Sequence, residues 1–436
     1  MTFRHTLLLR NGRIIDPANT IDEPGDLLVI DGMISQRGKA GSIACPPEAA
    51  CIDLQGIWLV PGLIDMHVHL REPGEEYKET IASGTRTAAA GGFTAVACMP
   101  NTNPVNDNQS VTSFILTKAA AEGAARVYPV GAISKNSRGT ELAEYGELKR
   151  AGAVAVSDDG RPVANSQLMR RALEYSGNHD LLVISHAEES SLSENGVMNE
   201  GPLSTRLGLR GIPTVAEEIM IYRDLALAEY VGRPIHIAHI STRESVDLIR
   251  RAKRKGCRVT AETAPHYFSL TEEAVGIYNT RAKMNPPLRR ADDMAAIREG
   301  LRDGTIDAIA TDHAPHSAME KDVEFDQAAN GIIGLETAVP LTLALVRENI
   351  LTPARMIELL SLQPARILGV AGGTLTEGSP ADITVIDPEK KFVYAKEDVV
   401  SKSCNSPFLG WEFTGRAVLT LVGGRITFDG LGQTEN

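Results

Sequence analysis

The chain has 436 residues, of which 43% are hydrophobic and 23% charged, a composition typical of a globular protein large enough for more than one domain. Its formal net charge of −12 argues against nucleic acid and anionic membranes as main partners. The five cysteines form no C-x-x-C pair, and no apolar run reaches the ~18 residues of a membrane span, so we expect a cytoplasmic protein without a disulfide framework.

The first 55 residues or so indicate short strands joined by tight turns. Asn11-Gly12 and Asp31-Gly32 are typical of hairpin turns, because both residues of each pair accept positive φ angles at low cost. The sequence after residue 370 has the same character, with Gly423-Gly424 at a predicted turn. We therefore expect the two chain ends to pair into one small β domain.

The middle of the chain alternates short apolar runs with helix-like stretches, several of which end in glycine as helix C-termini do. Strands that alternate with helices predict a parallel sheet built from βα units. The apolar runs number eight: GLIDMHVHL, FTAVACMP, RVYPVGAI, AVAVSDD, LLVISHAE, PIHIAHIS, RVTAETAPH and IDAIATDHA.

Eight such units close a (β/α)8 barrel of the TIM type. The doubly wound alternative would begin with a glycine-rich phosphate loop, and neither G-x-G-x-x-G nor a Walker pattern follows the first strand. We therefore predict an α/β protein with a (β/α)8 barrel and a small β-sandwich domain. The predicted boundaries are 1–57 and 371–436 for the two parts of the β domain and 58–370 for the barrel.

Polar residues cluster where the predicted barrel strands end, which is the face that carries catalytic groups in this architecture. These strand ends carry most of the ten histidines together with several carboxylates. The residues are His67, His69, Asp158, Asp159, His186, Glu188, His239, Glu262, His266, Asp312, His313 and His316.

His67 and His69 point the same way, because side chains on a strand alternate between its two faces. Neighbouring neutral imidazoles are good ligands for a first-row divalent metal, most often zinc. A lone H-x-H is more often structural, but His186, His239 and two aspartates are predicted on the same rim. Because so many ligands exceed what one zinc needs, we expect two ions about 3.5–4 Å apart and hydrolysis, or its reverse, at a carbonyl.

Other histidines and carboxylates carry weaker predictions. His236 lies three residues before His239, so we expect it to face away from the barrel interior and to be structural. Glu188 and His266 could either support metal ligands or serve only the fold.

Arg71 lies two residues after the paired histidines, where a guanidinium could bind a substrate carboxylate with two hydrogen bonds. Asn101 and Asn285, which follow the second and seventh predicted strands, could add amide contacts. Together these residues indicate a pocket for an acid group and for a carbonyl-and-NH edge.

At this point the motifs DMHVHLREPG, MPNT, SDDG, HIST, KMNPPLR and ATDHAPH, in this order, resemble the dihydroorotases of the bacterial type I class, within the cyclic amidohydrolase superfamily. The resemblance covers nearly the whole chain, including the β domain built from both ends. H-x-H alone marks only the superfamily, whereas its combination with REPG, KMNPPLR and ATDHAPH is far more specific.

The resemblance implies a role for each matching position. His67, His69 and Asp312 would hold one zinc ion and His186 and His239 a second, with Asp159, rather than Asp158, as the joining ligand. The residues that would bind the substrate are Arg71, Asn101, Asn285, His316 and backbone groups of Gly331 and Gly334, and residues 317–330 would form a mobile loop over the site.

The implied reaction is the reversible cyclisation of N-carbamoyl-L-aspartate to L-dihydroorotate and water in pyrimidine biosynthesis. In the hypothesis, the metals supply an activated water and a polarised carbonyl. Asp312 takes the proton from that water and returns it to the leaving ring nitrogen. In the biosynthetic direction, Asp312 removes the proton from the ureido nitrogen.

Two alternatives remain open. One is another cyclic amidase, an allantoinase or hydantoinase, although the fourth strand here lacks the bridging lysine of many superfamily members. The other is a non-catalytic scaffold for aspartate carbamoyltransferase, although such a protein would be expected to lose metal histidines. A homodimer, and an association of the active enzyme with aspartate carbamoyltransferase, are compatible with the resemblance.

Overall fold

A computed structural model describes residues 6–432 of the chain. Its first part is extended and contributes to a sheet that we call the terminal sheet. The strands of this part are β1 (Thr6–Asp16), β2 (Ile21–Ile30), β3 (Met33–Lys39), β4 (Ala50–Asp53) and β5 (Trp58–Pro61).

One of the two N-terminal turn predictions is confirmed and the other is wrong. Asp31 and Gly32 form the tight turn between β2 and β3, with φ angles of 50° and 79°. Asn11 and Gly12 instead lie inside β1, at a shift in its register with β2. Asn11 has a φ of 57°, and its N–H donates to the carboxylate of Asp26 (2.9 Å), so the positive φ produces a bulge rather than a reversal.

The central part contains all eight predicted barrel strands, each of them within the apolar run that predicted it. They pair in parallel in chain order, and the barrel is nearly closed by a bridge between Val68 and His313 and by the bond from the His69 N–H to the His313 carbonyl (2.9 Å). The strands are β6 (Leu63–Val68), β7 (Phe93–Cys98), β8 (Arg126–Gly131), β9 (Ala155–Ser157), β10 (Leu182–Ser185), β13 (Ile235–Ile237), β14 (Val259–Thr263) and β15 (Ala308–Ile309), with a small two-stranded sheet of β11 (Met198–Asn199) and β12 (Gly211–Ile212) between them.

Helices cover the outside of the barrel and fill the connections between its strands. Several have a capping side chain at the N-terminus, such as Thr80, which accepts from the Ser83 N–H, and Asn165, which accepts from Gln167 and Leu168. The helices are α1 (Ile81–Ala90), α2 (Gln109–Glu122), α3 (Tyr145–Ala151), α4 (Ser166–Ser176), α5 (Ser190–Ser193), α6 (Pro202–Leu207), α7 (Val215–Val231), α8 (Arg243–Arg254), α9 (Pro265–Ser269), α10 (Ala291–Asp303), α11 (Ala318–Lys321), α12 (Ala338–Arg347), α13 (Pro353–Ile357) and α14 (Gln363–Leu368).

The last part of the chain returns to the terminal sheet with β16 (Ile383–Val393), β17 (Glu412–Val422) and β18 (Arg425–Asp429). The strand order is β18-β17-β16-β5-β1-β2-β3, with β4 paired to β1, and both parallel and antiparallel pairs occur. This confirms one β domain made from both chain ends. The boundaries 1–57, 58–370 and 371–436 stay a prediction, and residues 1–5 and 433–436 lie outside the described range.

The interior of the barrel is filled largely by small side chains. Ala95, Ala97, Ala155 and Ala308 pack there around larger residues such as Met66, whereas the bulkier core lies between the strands and the helices. Small residues at the centre let the eight strands close tightly, so the polar side chains at the strand ends converge on one mouth. None of the described helices combines the length and the apolar character needed to cross a membrane.

The side chain of Asp16 links the N-terminal part of the chain to the segment before β16. Its fully buried carboxylate accepts hydrogen bonds from the N–H groups of Ala18 (3.1 Å) and Leu375 (2.9 Å). Asp16→Ala should lower the free energy of unfolding by about 3 kcal/mol, because buried donors lose a charged acceptor. Urea unfolding measures this loss. Asp22→Ala is the control, since Asp22 pairs with Arg13 at the surface and should cost at most about 1 kcal/mol; equal losses would contradict the prediction.

Candidate metal centre

Five barrel strands bring ionisable side chains together at the C-terminal mouth of the barrel. Each residue lies at the end of a strand or one to three residues beyond it, and each is at most 8% exposed. These residues are His67 and His69 from β6 and its end, Asp159 after β9, His186 after β10, His239 after β13 and Asp312 after β15.

Asp159 lies at the centre of this cluster. Its Oδ1 atom is 3.3 Å from His67 Nε2, 3.5 Å from His186 Nδ1 and 3.4 Å from His239 Nε2. Its Oδ2 atom is 3.5 Å from His69 Nε2. One carboxylate therefore contacts four imidazoles from three strands, which is the arrangement expected of a joining ligand.

Asp312 completes the cluster on the side of β6. Its Oδ1 atom lies 3.1 Å from His69 Nε2 and 3.6 Å from His67 Nε2. Two sets of potential ligand atoms each lie within 4.8 Å of one another: His67, Asp159 and His239, and His67, His69 and Asp312. Two neighbouring triads that share His67 are compatible with the prediction of two ions.

Hydrogen bonds behind the cluster determine which nitrogen of each β6 histidine faces it. His67 Nδ1 lies 2.7 Å from Glu262 Oε1, and His69 Nδ1 lies 2.8 Å from Asn101 Oδ1. Because both oxygens are acceptors, each Nδ1 carries the proton and donates it. Both Nε2 lone pairs therefore face the aspartates, which is the tautomer that a metal requires.

His236 does not face away from the barrel interior, so that prediction was wrong. It is fully buried, its Nε2 lies 3.2 Å from Glu262 Oε2, and its Nδ1 lies 2.8 Å from the Thr260 hydroxyl. The alternation of faces between 236 and 239 is broken because His239 has a φ of 33°. His236 thus supports Glu262, which in turn orients His67.

Glu188 supports the cluster from the other side, whereas His266 has no polar partner at its Nε2 atom. Glu188 Oε2 lies 3.3 Å from His186 Nε2 and accepts from Asn285 Nδ2 (3.0 Å). His266 Nε2 is buried without a hydrogen bond to any described residue, and burial lowers the pKa of His266 to about 4, so its ring is neutral at pH 7.

Three residues of the site have a backbone conformation that is uncommon outside glycine. Arg71, His239 and Asp312 have φ angles of 63°, 33° and 49°. Such angles cost free energy and persist where the surrounding structure imposes them, often at functional sites. Here they turn the side chains after β6, β13 and β15 into the mouth of the barrel.

The chemistry of the cluster fits a divalent cation. His67 Nε2 and Asp159 Oδ1 are buried, face each other and have no hydrogen-bond partner among the described residues. Burial opposes charge on His186, but the adjacent carboxylates of Asp159 and Glu188 raise the pKa of His186 to about 10. Carboxylates that raise a buried imidazole pKa this far create a negative potential that also attracts a metal ion.

A cavity of about 210 Å³ opens above the cluster. Arg71 lines it and is only 8% exposed, and its Nε–H donates to the Pro315 carbonyl (3.1 Å). Most of the predicted site residues line the same cavity. The lining residues are His69, Arg71, Asn101, Asp159, Gly160, His186, His239, Asn285, Asp312, Ala314, His316, Asn330 and Gly331.

The backbone N–H groups of Gly331 and Gly334, which the resemblance places against the substrate, have partners within the protein. Gly331 lines the cavity, but its N–H donates to the Lys283 carbonyl (3.0 Å). Gly334 is not a lining residue; its N–H donates to His313 Nδ1 (3.2 Å) and its carbonyl accepts from Thr337. The N–H groups of both residues are bonded within the protein, and a substrate-binding role for their backbone groups stays a prediction.

Asp158 is separated from the cluster by its own hydrogen bonds. Its carboxylate accepts from the N–H (3.0 Å) and the hydroxyl of Ser134, in the loop after β8. This geometry favours Asp159 over Asp158 as the metal ligand. The orienting roles of Glu262 and His236 were missed from sequence, although the position of Glu262 in a predicted barrel strand was a usable signal.

Comparisons with known proteins agree on one family. The family model described as Dihydro-orotase-like matches residues 56–245. The dihydroorotase of Geotalea daltonii is 58% identical over 96% of this chain and 98% of its own length. The dihydroorotase of Geobacter sulfurreducens is 60% identical over the same shares. Among solved structures, the L-hydantoinase (dihydropyrimidinase) of Arthrobacter aurescens has a TM-score of 0.86 and 24% identity over 97% of this chain and 96% of its own, which shows the fold alone.

Replacing Glu262 should weaken metal binding. In Glu262→Gln the neutral amide no longer polarises the His67 ring, so we expect a roughly 10- to 100-fold higher dissociation constant for zinc, measured by competition with a chromophoric chelator. Glu336→Gln is the control: Glu336 is also mostly buried and accepts from the Val400 N–H, but it does not line the cavity. The orienting role is wrong if both variants bind zinc as the wild type does.

Proposed function

The chain belongs to the dihydroorotase family, and on that premise we propose that it catalyses the reversible cyclisation of N-carbamoyl-L-aspartate to L-dihydroorotate and water. The observation that carries this proposal is a buried guanidinium beside a cluster of four histidines and two aspartates. Arg71 and Asp312 line the same cavity of about 210 Å³. A substrate with a carboxylate next to a reacting carbonyl matches this pair of features.

The residues proposed to hold metal all belong to this buried cluster. We assign His67, His69 and Asp312 to one zinc ion, His186 and His239 to a second, and Asp159 to both. Imidazole and carboxylate donors suit zinc. When bound, the ions would polarise the substrate carbonyl and make water a stronger nucleophile.

Asp312 is proposed to move the proton. Burial disfavours its ionised form, but the adjacent imidazoles of His69 and His67 lower the pKa of Asp312 below its usual value. The carboxylate is therefore ionised at neutral pH and has an oxygen lone pair that can accept a proton. In ring opening it takes the proton of the attacking water and returns it to the ring nitrogen, and in ring closure it removes the proton of the ureido nitrogen.

Arg71, Asn101, Asn285 and His316 are proposed to bind the substrate. The bond from Arg71 Nε to the Pro315 carbonyl fixes the direction of the guanidinium, whose terminal nitrogens would bind the substrate carboxylate. His316 Nε2 lies 2.8 Å from the Asn330 carbonyl and is therefore the donor. Burial and the charge of Arg71 lower the pKa of His316 to about 3, so His316 is neutral and Arg71 supplies the positive charge.

A hydantoinase-like activity is the second candidate, because the fold resembles that of a hydantoinase. We favour dihydroorotate because β9 is followed by Asp158 and Asp159, with no lysine there to bridge two ions. Retention of all four clustered histidines argues against a purely non-catalytic scaffold. A cytoplasmic location, a homodimer and an association with aspartate carbamoyltransferase are part of the proposal and rest on the family alone.

A parallel assay tests the proposed substrate. Zinc-loaded protein should turn over dihydroorotate with a kcat/KM at least about 100-fold above that for allantoin or hydantoin, because only dihydroorotate brings a carboxylate to Arg71. Chelator-treated protein, verified as metal-free, should be inactive and should recover with zinc. Preference for either neutral ring, or full activity without metal, would overturn the proposal.

Asp312→Ala should lower kcat by about 10³-fold or more, because the proton acceptor is lost. The rate would be followed by the ultraviolet absorbance of the dihydroorotate ring. Asp307→Ala is the control, since Asp307 binds Lys253 Nζ just before β15, at the opposite end of that strand. It should reduce stability but retain catalysis; near-normal turnover by Asp312→Ala would contradict the assigned role.

A further inference from the structure

Two segments that follow the last barrel strand form one wall of the cavity. The first runs from β15 through Ala314 to His316, and the second returns at Asn330 and Gly331. The two segments share a backbone hydrogen bond, from the Ala314 N–H to the Ile332 carbonyl (2.8 Å). Between them the chain leaves the barrel over residues 317–330.

Asn405 lies behind this wall and bonds to both segments. It comes from the connection between β16 and β17 and is only 3% exposed. Its side-chain NH2 group donates to the carbonyls of Ala314 (2.9 Å) and Gly331 (3.0 Å), and its side-chain oxygen accepts from the His316 N–H (3.0 Å). Ala314, His316 and Gly331 are therefore all bonded to one buried amide that does not itself line the cavity.

Lys321 holds the same wall from the side of the loop. It lies at the end of α11, is 3% exposed, and its ammonium donates to the carbonyls of Lys283 (3.2 Å), Ala329 (2.7 Å) and Gly331 (3.0 Å). Over residues 6–432 no carboxylate forms an ion pair with Lys321. The buried amino group of Lys321 therefore has three backbone carbonyls as hydrogen-bond partners among the described residues.

The two donors meet at the Gly331 carbonyl, which accepts from both Asn405 and Lys321. The position requires glycine, because its φ is 126° and an added Cβ would lie 2.6 Å from the Ala314 Cβ atom. Fixing this peptide also fixes the adjacent Asn330 carbonyl, which accepts from His316 Nε2. The same His316 nitrogen lies 3.3 Å from an Arg71 nitrogen, so the position of the His316 ring limits where the guanidinium can lie.

We propose that Asn405 and Lys321 are positioning residues, which clamp the Gly331 carbonyl and so hold His316 and Arg71 in place for the substrate carboxylate. This inference rests on the proposed function. It predicts a defect in substrate binding rather than in metal binding or in the chemical step, because neither residue contacts the metal cluster.

The test compares Asn405→Ala, Asn405→Asp and Lys321→Met with the wild type for KM, kcat, zinc content and melting temperature. Loss of one hydrogen bond at this carbonyl should raise KM for dihydroorotate by about 10-fold while kcat falls less than about 3-fold. Zinc content should not change. The double variant that combines Asn405→Ala with Lys321→Met should raise KM by less than the product of the single effects, since both donors act on one carbonyl.

The two Asn405 variants separate a positioning role from simple packing. At pH 8 Asn405→Asp keeps the size of the side chain but turns a carboxylate oxygen toward two carbonyls, so KM should rise more than in Asn405→Ala. A packing role predicts the reverse order, because the smaller alanine leaves a cavity. If Asn405→Asp fails to fold, the KM values of Asn405→Ala and Lys321→Met still test the positioning role.

Two controls lie at the opposite end of the barrel. Thr384→Val removes a buried hydroxyl that donates to the Gly92 carbonyl (2.6 Å), and Lys253→Met removes an ammonium bonded to Asp307. Both should lower the melting temperature without moving KM. An unchanged KM in the Asn405 and Lys321 variants of an active enzyme would overturn this inference alone, whereas a wild type inactive on dihydroorotate would overturn the proposed function as well.

Discussion

The structure depends on one constraint, the burial of Asp159 among four imidazoles. Its two oxygens lie within 3.5 Å of nitrogens from His67, His69, His186 and His239, which belong to three different strands. Burying so many ionisable groups is unfavourable unless opposite charges meet at short distances. The barrel must therefore close with its strands in one register, because a shift by one residue would turn a ligand out of the mouth.

The residues that support this cluster become less polar from the mouth of the barrel toward its centre. Glu262 and Asn101 orient the two β6 histidines, and His236 holds Glu262 from below. Beneath them the barrel is filled mainly by small apolar side chains, which have few conformations to adopt. The uncommon backbone angles at His239 and Asp312 are tolerated because this base is rigid.

Much of the architecture could be predicted from sequence because its signals are local. Each barrel strand is a short apolar run, and each metal-ligand candidate follows such a run, so strand order and the residues at the mouth could both be read from the sequence. The turn predicted at Asn11-Gly12 was wrong because positive φ angles suit a bulge as well as a turn. The orientation predicted for His236 was wrong because side chains alternate between the two faces only while a strand continues. The roles of Asn405 and Lys321 could not be predicted, since their partners are backbone N–H and carbonyl groups, which no residue type marks.

The position of β5 bears on how the protein is made. This strand pairs with β1 on one side and with β16 on the other, and the chain passes almost directly from β5 into the first strand of the barrel. On a ribosome, β16 emerges only after the whole barrel has been synthesised. Until then β5 presents an unpaired edge of backbone groups, which is the kind of surface through which nascent chains associate wrongly. The terminal sheet can therefore acquire its full set of strand pairs only after the sequence of the whole barrel has left the ribosome.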